Sequence, residues 1–185
     1  MITDHQGAPL LGFIAPSGTG KTALLTAVIP LLREAGLRVG CIKHTHHPFE
    51  IDQPGKDSRL LREAGAAQMM IGGAGRWALI VETDANVEQG LSEMANRMLI
   101  DQLDLVLVEG FKLAVIPKIE VHRAELGTDI LCRETDSIIA LATNQKPPPS
   151  VPVPILDLDD PRSIADFILA YVRSSRDLRT ASTKA

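Results

Sequence analysis

Residues 15–22 read Ala15-Pro16-Ser17-Gly18-Thr19-Gly20-Lys21-Thr22. The apolar run Leu10–Ile14 before this stretch predicts a strand, and leucines and valines at helical spacing over residues 23–34 predict a helix after it. A Gly-rich loop between a strand and a helix turns several backbone N–H groups toward one phosphate group. The stretch fits the phosphate-binding loop pattern everywhere except at its first position, where Ala15 replaces Gly. The motif therefore predicts a nucleoside triphosphate site.

Six residues of this loop have predicted roles. The residues expected to surround the phosphates are Ser17, Gly18, Thr19 and Gly20. The two glycines allow the backbone to curl, and the positive end of the helix dipole lies just beyond them. Lys21 is expected to bind the β- and γ-phosphates, and Thr22 to ligate Mg²⁺ through its hydroxyl. The alternative is a Gly-rich turn that only joins two elements.

An acidic residue is needed to complete the metal site. Residues 104–108 predict a strand buried on both faces of a parallel sheet, and this strand ends at Glu109-Gly110. Open α/β sheets bind ligands at the carboxyl ends of their strands. We therefore expect Glu109 to bind Mg²⁺ through water or to orient the attacking water, so that Glu109 and Lys21 are the candidate catalytic residues. A solvated acid at a strand end is the alternative.

The strand predicted at residues 38–43 and the loop after it supply further candidates. Lys43, at the strand end, adds positive charge toward the phosphates. Asp57 is expected to complete the magnesium shell in a segment that senses the γ-phosphate, and also to cap a helix over residues 57–64. Capping alone is an open alternative for Asp57.

Three histidines, His44, His46 and His47, cluster in the same loop. Neutral imidazoles at this density can bind a transition metal. However, the neighbouring Cys41 lies within the predicted strand, and the spacing of the histidines is not that of one helix face. Phosphate recognition and ordinary solvation of loop residues explain the cluster as well as a metal site does.

Predicted strands and helices alternate through most of the chain. The remaining predicted elements are a strand pair at 68–71 and 78–82 around a Gly-rich turn, a helix at 87–100, strands at 118–121, 138–142 and 155–158, and a last helix at 161–172. Pro30 is expected to kink or divide the first helix. This alternation predicts an α/β protein with the three-layer P-loop NTPase fold, a largely parallel sheet and some antiparallel strands. We expect one domain over residues 1–173 and a polar, disordered tail over 174–185.

Composition excludes several function classes. The 185 residues include 19 basic and 23 acidic side chains and have a net charge of −4, which offers a polyanion such as nucleic acid no overall attraction. Apolar stretches are interrupted well before the ~20 residues of a membrane span, and the first residues lack a secretory signal pattern, so we expect a cytoplasmic protein without membrane or nucleic-acid partners. Cys41 and Cys132 are far apart and predict neither a disulfide framework nor a zinc site.

Several segments together resemble one known family, MobB, the molybdopterin-guanine dinucleotide biosynthesis protein B family. The segments are residues 15–22, Ile42-Lys43-His44-Thr45-His46-His47, Pro54-Gly55-Lys56-Asp57-Ser58, Gly65-Ala66-Ala67-Gln68, Arg76-Trp77-Ala78-Leu79 and Val108-Glu109-Gly110-Phe111-Lys112. The resemblance covers residues 10–172. It implies a GTP- and Mg²⁺-binding protein with weak GTPase activity, a homodimer, and an adapter role beside the guanylyltransferase MobA, with molybdopterin as a further partner.

The residues alone predict a magnesium–nucleoside triphosphate site without naming the base. The Asn-Lys-x-Asp loop that usually reads guanine is absent, although Asn144 follows a predicted strand where it could contact a base edge. Two other classes remain open. An ATP-dependent small-molecule kinase or ligase of the dethiobiotin-synthetase type shares the loop, the lysine and the Glu-Gly pair. A nucleotide-dependent metallochaperone would explain the histidines.

Overall fold

The structure is a computed structural model that describes residues 7–45, 49–84, 88–133, 135–146 and 150–182. The chain forms two compact units, which we call the sheet unit (Met1–His44 with Leu91–Ala185) and the hairpin unit (Thr45–Gly90). The hairpin unit is therefore an insertion in the sequence of the sheet unit. Chain length and apolar content give the size of a core but cannot reveal such an insertion.

The residues that the structure describes form eight strands and four α-helices. The strands are β1 (Leu10–Ile14), β2 (Val39–Lys43), β3 (Gln68–Gly73), β4 (Arg76–Val81), β5 (Leu105–Glu109), β6 (Lys118–His122), β7 (Ile138–Thr143) and β8 (Ile155–Asp157). The α-helices are α1 (Lys21–Glu34), α2 (Asp57–Glu63), α3 (Leu91–Asn96) and α4 (Pro161–Ser182). Single 3-10 turns occur at Ile100–Gln102, Ala124–Leu126 and Leu131–Arg133. None of these helices combines the length and apolar character that a membrane crossing requires, as far as the described residues extend.

The sheet unit is built on six parallel strands in the order β2-β5-β1-β6-β7-β8. Both faces of this sheet are covered, which explains why the central strand sequences Leu10–Ile14 and Leu105–Glu109 are almost uniformly apolar. On one face, α1 and α4 contribute buried residues such as Val28 and Ile168. On the other, α3 contributes Leu91 and Ala95. The predicted three-layer α/β fold with a largely parallel sheet is confirmed.

Helix α1 runs without interruption through Pro30, so it is not divided there. Pro30 lacks the N–H that would bond back toward Thr26, and a proline inside a helix costs ~3 kcal/mol or more. Burial compensates, because Val28 and Leu32 on either side of Pro30 are fully buried, and each such side chain contributes about 1.5–3 kcal/mol.

Helix α3 is shorter than the predicted helix at 87–100, since it covers only Leu91–Asn96. After it, the N–H groups of Arg97 and Met98 bond to carbonyls three residues back, which tightens the last turn. Met98 and Ile100 still pack against the core on this face of the sheet. The sequence thus predicts a helix here correctly, but the observed helix is shorter than the predicted one.

Helix α4 is longer than predicted, because it continues to Ser182 instead of ending near residue 172. The prediction of a disordered tail is therefore wrong for residues 174–182. Arg176 binds Asp104 at 2.5 Å, the Tyr171 hydroxyl donates to the Leu10 carbonyl at 2.9 Å, and Arg179 donates to the Gly7 carbonyl. Arg176 and Arg179, which belong to the predicted tail, thus bond to other parts of the sheet unit.

The hairpin unit contains α2 and the antiparallel pair of β3 and β4. The ladder extends to the Gly73–Arg76 pair, so the turn consists only of Ala74 and Gly75, with Gly75 at φ +79°. The predicted strand pair with antiparallel pairing is thereby confirmed, with a tighter turn. Arg62 on α2 donates to Glu82 at 2.6 Å and to Asp52 at 3.0 Å, and these ion pairs fasten the helix within the unit.

Candidate functional site

The carboxyl ends of the parallel strands meet at one edge of the sheet unit. The Gly-rich loop follows β1, Lys43 ends β2, and Glu109 ends β5. On the other side of β1, Arg123 follows β6 and Asn144 follows β7. Parallel pairing therefore collects these polar residues at the position where open α/β sheets bind ligands.

The Gly-rich loop has the backbone conformation that its sequence predicts. Gly18 and Gly20 have φ values of +79° and +93°, a region that residues with a side chain rarely adopt. The hydroxyl of Thr19, whose side chain is almost completely buried, donates to the Pro16 carbonyl at 2.8 Å. Helix α1 begins directly after Gly20, which is its N-cap, and Ser17 lies exposed at the outside of the loop. The loop thus joins a strand to a helix N-terminus, the geometry required for binding phosphate.

The Lys21 ammonium folds back over this loop. It donates to the carbonyls of Ala15 and Pro16, both at 3.0 Å. Burial lowers the pKa of Lys21, and the nearby Glu109 carboxylate opposes this shift. An ammonium that is already partly desolvated loses less hydration when it binds an anion. Lys21 is therefore placed for the predicted phosphate contact.

Thr22, Lys43 and Glu109 form one hydrogen-bonded cluster. The Thr22 hydroxyl donates to Glu109 Oε1 at 3.1 Å, and Lys43 Nζ lies 3.1 Å from the same oxygen. Lys43 Nζ is also 3.5 Å from Thr22 Oγ1. The register of β2 on β5, which aligns Lys43 with Glu109, accounts for the contact. The structure thus brings together three residues that the sequence singled out separately.

The donor atoms of this cluster suit Mg²⁺. A hydroxyl and a carboxylate supply hard oxygen ligands, and magnesium in nucleotide sites takes few protein ligands because phosphates and water supply the rest. No group of three or more His, Cys, Asp or Glu side chains is arranged as a metal site within the part of the chain that the structure describes.

Asp57 does not have the capping role that we predicted. It is the first residue of α2, and the N-cap position belongs to Lys56, which makes no side-chain capping bond. A carboxylate in the first turn still interacts favourably with the helix dipole. Asp57 belongs to the hairpin unit, and its role as a metal ligand stays a prediction.

Of the three clustered histidines, the structure describes His44, whereas His46 and His47 lie outside the described residues. The His44 ring packs on Phe111 with 4.4 Å between ring centroids. The His44 N–H donates to the Glu109 carbonyl at 2.9 Å. Gly110, at φ +98°, lets His44 approach, because a Cβ there would lie 3.0 Å from the His44 Cβ. His44 thus packs beside the Glu109-Gly110 pair.

Asn144 is engaged by the 3-10 turn that follows β6. Its side-chain amide donates to the Glu125 carboxylate at 2.6 Å, and its carbonyl oxygen accepts the Ala124 N–H at 3.4 Å. The bond from Asn144 helps to lower the pKa of Glu125, after the larger effect of that residue's own backbone N–H. Contact of Asn144 with a base stays a prediction.

Sequence reasoning missed Arg123. Its Nε donates to the Thr19 carbonyl at 3.0 Å, so it contacts the Gly-rich loop from a position 104 residues away. Its Nη1 lies 3.9 Å from Asp159. The available signal was a basic residue directly after a strand, but that signal has meaning only once β6 is known to lie beside β1.

Sequence reasoning also missed a buried polar row on β6, formed by Lys118, Glu120 and His122. Glu120 accepts the N–H groups of Leu131 and Cys132 at 2.7 and 2.8 Å. Alternating polar residues usually mark a strand face open to solvent.

The other two members of the row are also hydrogen-bonded. His122 Nε2 lies 3.0 Å from the Thr128 carbonyl, and Lys118 donates to Ser137 Oγ at 3.1 Å. The segment after β6 covers the polar face of this strand, and the hydrogen bonds from the polar row hold that segment in place.

Comparisons with known proteins agree with this geometry. The family model described as Molybdopterin guanine dinucleotide synthesis protein B (MobB) matches residues 10–144. The molybdopterin-guanine dinucleotide biosynthesis adapter protein of Escherichia coli is 44% identical over 168 residues, which cover 89% of this chain and 94% of that protein. The protein of the same name from Haemophilus influenzae is 42% identical over 168 residues, covering 91% of this chain and 92% of that protein.

Solved structures show the same fold. A crystal structure of molybdopterin-guanine biosynthesis protein B has a TM-score of 0.69 at 27% identity and covers 89% of this chain and 99% of that one. The crystal structure of Bacillus subtilis MobB has a TM-score of 0.70 at 27% identity, covering 88% of this chain and 96% of that one. Because the family model spans most of the sequence and the two relatives align along nearly their whole length, this chain belongs to the MobB family.

Proposed function

We propose that this chain is a GTP-binding adapter protein of molybdopterin guanine dinucleotide biosynthesis. The adapter role is supported by the names of the Escherichia coli and Haemophilus influenzae relatives, which align with almost the whole chain. The choice of guanine rests on the family resemblance, with Asn144 as the candidate base contact.

The cluster of Thr22, Lys43 and Glu109 beside Lys21 is the observation that best supports nucleotide binding. Thr22 and Glu109 would hold Mg²⁺, which neutralises charge on the phosphates when it is bound. The Lys43 ammonium, 3.1 Å from Glu109, adds a second cation at the same edge of the sheet as Lys21. Two lysines and a helix N-terminus favour a ligand that bears several negative charges.

Hydrolysis in this proposal is slow. Glu109 is the candidate for orienting the attacking water, and an unassisted GTPase turns over at ~10⁻⁴–10⁻² s⁻¹. We expect the protein to act by binding, as a homodimer in the cytoplasm, with the guanylyltransferase MobA and molybdopterin as partners.

The hairpin unit supports the homodimer. Met70, Trp77 and Leu79 share one face of the hairpin according to its register, and their exposed fractions are 62%, 57% and 43%. A two-stranded hairpin is marginally stable alone, and an exposed apolar face of this kind is typical of an interface.

Calorimetric titration with GTP, GDP and ATP, each with Mg²⁺ and with EDTA, tests the nucleotide part of the proposal. We expect GTP to bind more tightly than ATP and Mg²⁺ to strengthen the binding of GTP. Equal affinity for ATP would contradict the guanine preference. Turnover on the order of 10 s⁻¹ would instead indicate a metabolic kinase or ligase.

Co-elution of the purified chain with its cognate MobA tests the adapter part. A complex on gel filtration is expected, and its stability should differ between GTP and GDP if the nucleotide state is read by the partner. No complex with either nucleotide would contradict the adapter role.

A further inference from the structure

Arg123 contacts the Gly-rich loop at the peptide between Thr19 and Gly20. The guanidinium donates from Nε to the Thr19 carbonyl oxygen at 3.0 Å. The same group lies beside Gly20, where an added Cβ would be 3.8 Å from Arg123 Nε and 3.9 Å from Nη2. A charged donor thus covers one side of this peptide.

The orientation of that peptide decides where the Gly20 N–H points. In a trans peptide the C=O and the N–H point in opposite directions. Because Arg123 binds the Thr19 carbonyl, the Gly20 N–H is directed away from Arg123. The loop binds phosphate only if its N–H groups face the anion. Fixing the carbonyl therefore also fixes a phosphate donor.

This peptide needs an external support. Gly18 and Gly20 flank Thr19, and glycine gives the backbone more conformational freedom than any other residue. The Thr19 side chain is held by its bond to the Pro16 carbonyl, but that bond does not restrain the Thr19 carbonyl itself. The contact with Arg123 supplies the missing restraint.

Arg123 is itself held by the sheet. It follows β6 directly, and β6 is the parallel neighbour of β1, which leads into the loop. Asp159, after β8, lies 3.9 Å from Nη1 and attracts the guanidinium from another side. A side chain fixed to the rigid sheet can restrain a flexible loop.

We propose that Arg123 is a positioning residue of the phosphate loop, which holds the peptide between Thr19 and Gly20 so that the Gly20 N–H faces an anionic ligand such as a nucleoside triphosphate. This inference rests on the proposed nucleotide binding, and it adds a residue outside the loop motif.

The first test compares Arg123→Ala with Arg173→Ala in the full chain. Arg173 is exposed on α4 and has no role in the site, so both variants lose one positive charge. We expect Arg123→Ala to weaken binding of Mg-GTP about tenfold or more, as for loss of one charge-assisted hydrogen bond, and Arg173→Ala to bind like the parent. Equal affinity of the two variants would overturn the proposal.

The salt dependence of Mg-GTP binding distinguishes a role of Arg123 in positioning the loop from simple attraction between Arg123 and the phosphates. A distant charge is screened at 0.5 M salt, whereas a hydrogen bond within the protein is not. The defect of Arg123→Ala should therefore persist at 0.5 M NaCl. Its disappearance there would show that only the charge matters.

The second test does not need a nucleotide. In NMR spectra of the ligand-free protein, Arg123→Ala should shift the Gly20 amide resonance and speed its hydrogen exchange, while Arg173→Ala leaves both unchanged. An unchanged Gly20 amide would overturn the positioning role. If the parent binds neither GTP nor ATP but the amide responds, the proposed function fails and the role of Arg123 in the loop stands.

Discussion

At the scale of single residues, the Lys21 ammonium donates to two carbonyls of its own loop, those of Ala15 and Pro16. We expect Lys21→Ala to weaken GTP binding roughly tenfold or more, because a charged hydrogen bond to phosphate is worth ~1.5–3 kcal/mol. Stability should change little, since the lost bonds lie in a partly exposed loop. Calorimetry and urea denaturation measure the two quantities. Unchanged affinity would contradict the phosphate role of Lys21.

The Glu109 carboxylate accepts hydrogen bonds from both the Thr22 hydroxyl and the Lys43 ammonium. Glu109→Gln keeps the shape of this side chain and removes its charge. We expect GTP to remain bound while the dependence on Mg²⁺ and the slow hydrolysis both decrease. Titrations at several Mg²⁺ concentrations measure this, with Glu34→Gln, on the exposed end of α1, as the control. If turnover and metal dependence in this variant equal those of the parent, Glu109 is only a solvated acid at a strand end.

At the scale of elements, the end of α4 makes a testable contribution to stability. A chain ending at residue 173 loses the Arg176–Asp104 pair and the Arg179–Gly7 bond. A surface ion pair contributes ~0–1 kcal/mol and a hydrogen bond ~1 kcal/mol, so the free energy of unfolding should fall by about 1–2 kcal/mol. Removal of residues 183–185 alone is the control. An equal stability of both truncated chains would mean that residues 174–182 are not anchored.

Strand β6 predicts a pH effect through Lys118. Burial lowers the pKa of this ammonium below its ordinary value of 10.5. Between the lowered folded-state pKa and 10.5, the unfolded chain binds a proton that the folded chain does not. The contribution of Lys118 to the free energy of unfolding therefore rises with pH in this window.

Lys118→Met provides the reference for this measurement, because it keeps the length of the side chain and removes the titrating group. The difference in unfolding free energy between parent and variant should become more favourable to the parent as pH rises from 7 toward 10. Tyr171, whose pKa is raised by burial, is present in both proteins and cancels in the difference. If this difference in unfolding free energy does not vary with pH, folding does not lower the pKa of Lys118.

At the scale of the whole molecule, the exposed hairpin face predicts the oligomeric state. Trp77→Ser should convert the proposed dimer to a monomer, because it removes a large apolar side chain from the face. Analytical ultracentrifugation measures the mass, and circular dichroism checks folding. The control is Leu178→Ser, since Leu178 is exposed on α4. A folded Trp77→Ser dimer would show that the subunits meet elsewhere.

Much of the fold was predictable because it depends on local patterns. The run Leu10–Ile14, the Gly-rich loop and the first helix are contiguous, and their apolar spacing and glycines specify strand, loop and helix without reference to the rest of the chain. The strand ending in Glu109 was predictable for the same reason, and parallel pairing then places Glu109 near Thr22. Helix lengths were less predictable, because tertiary bonds to Asp104 and Gly7 extend α4.

The sequence by itself determined the phosphate-loop motif, the α/β class and the resemblance to MobB, since each is read from short runs of consecutive residues. Only the tertiary structure decided that Arg123 reaches the Thr19 carbonyl, that Asn144 bonds Glu125, and that the polar residues of β6 are buried. The physical reason is that the partner of a polar side chain depends on which strands are neighbours. Strand order results from packing of the whole sheet, so it cannot be predicted from the spacing of apolar residues within one segment.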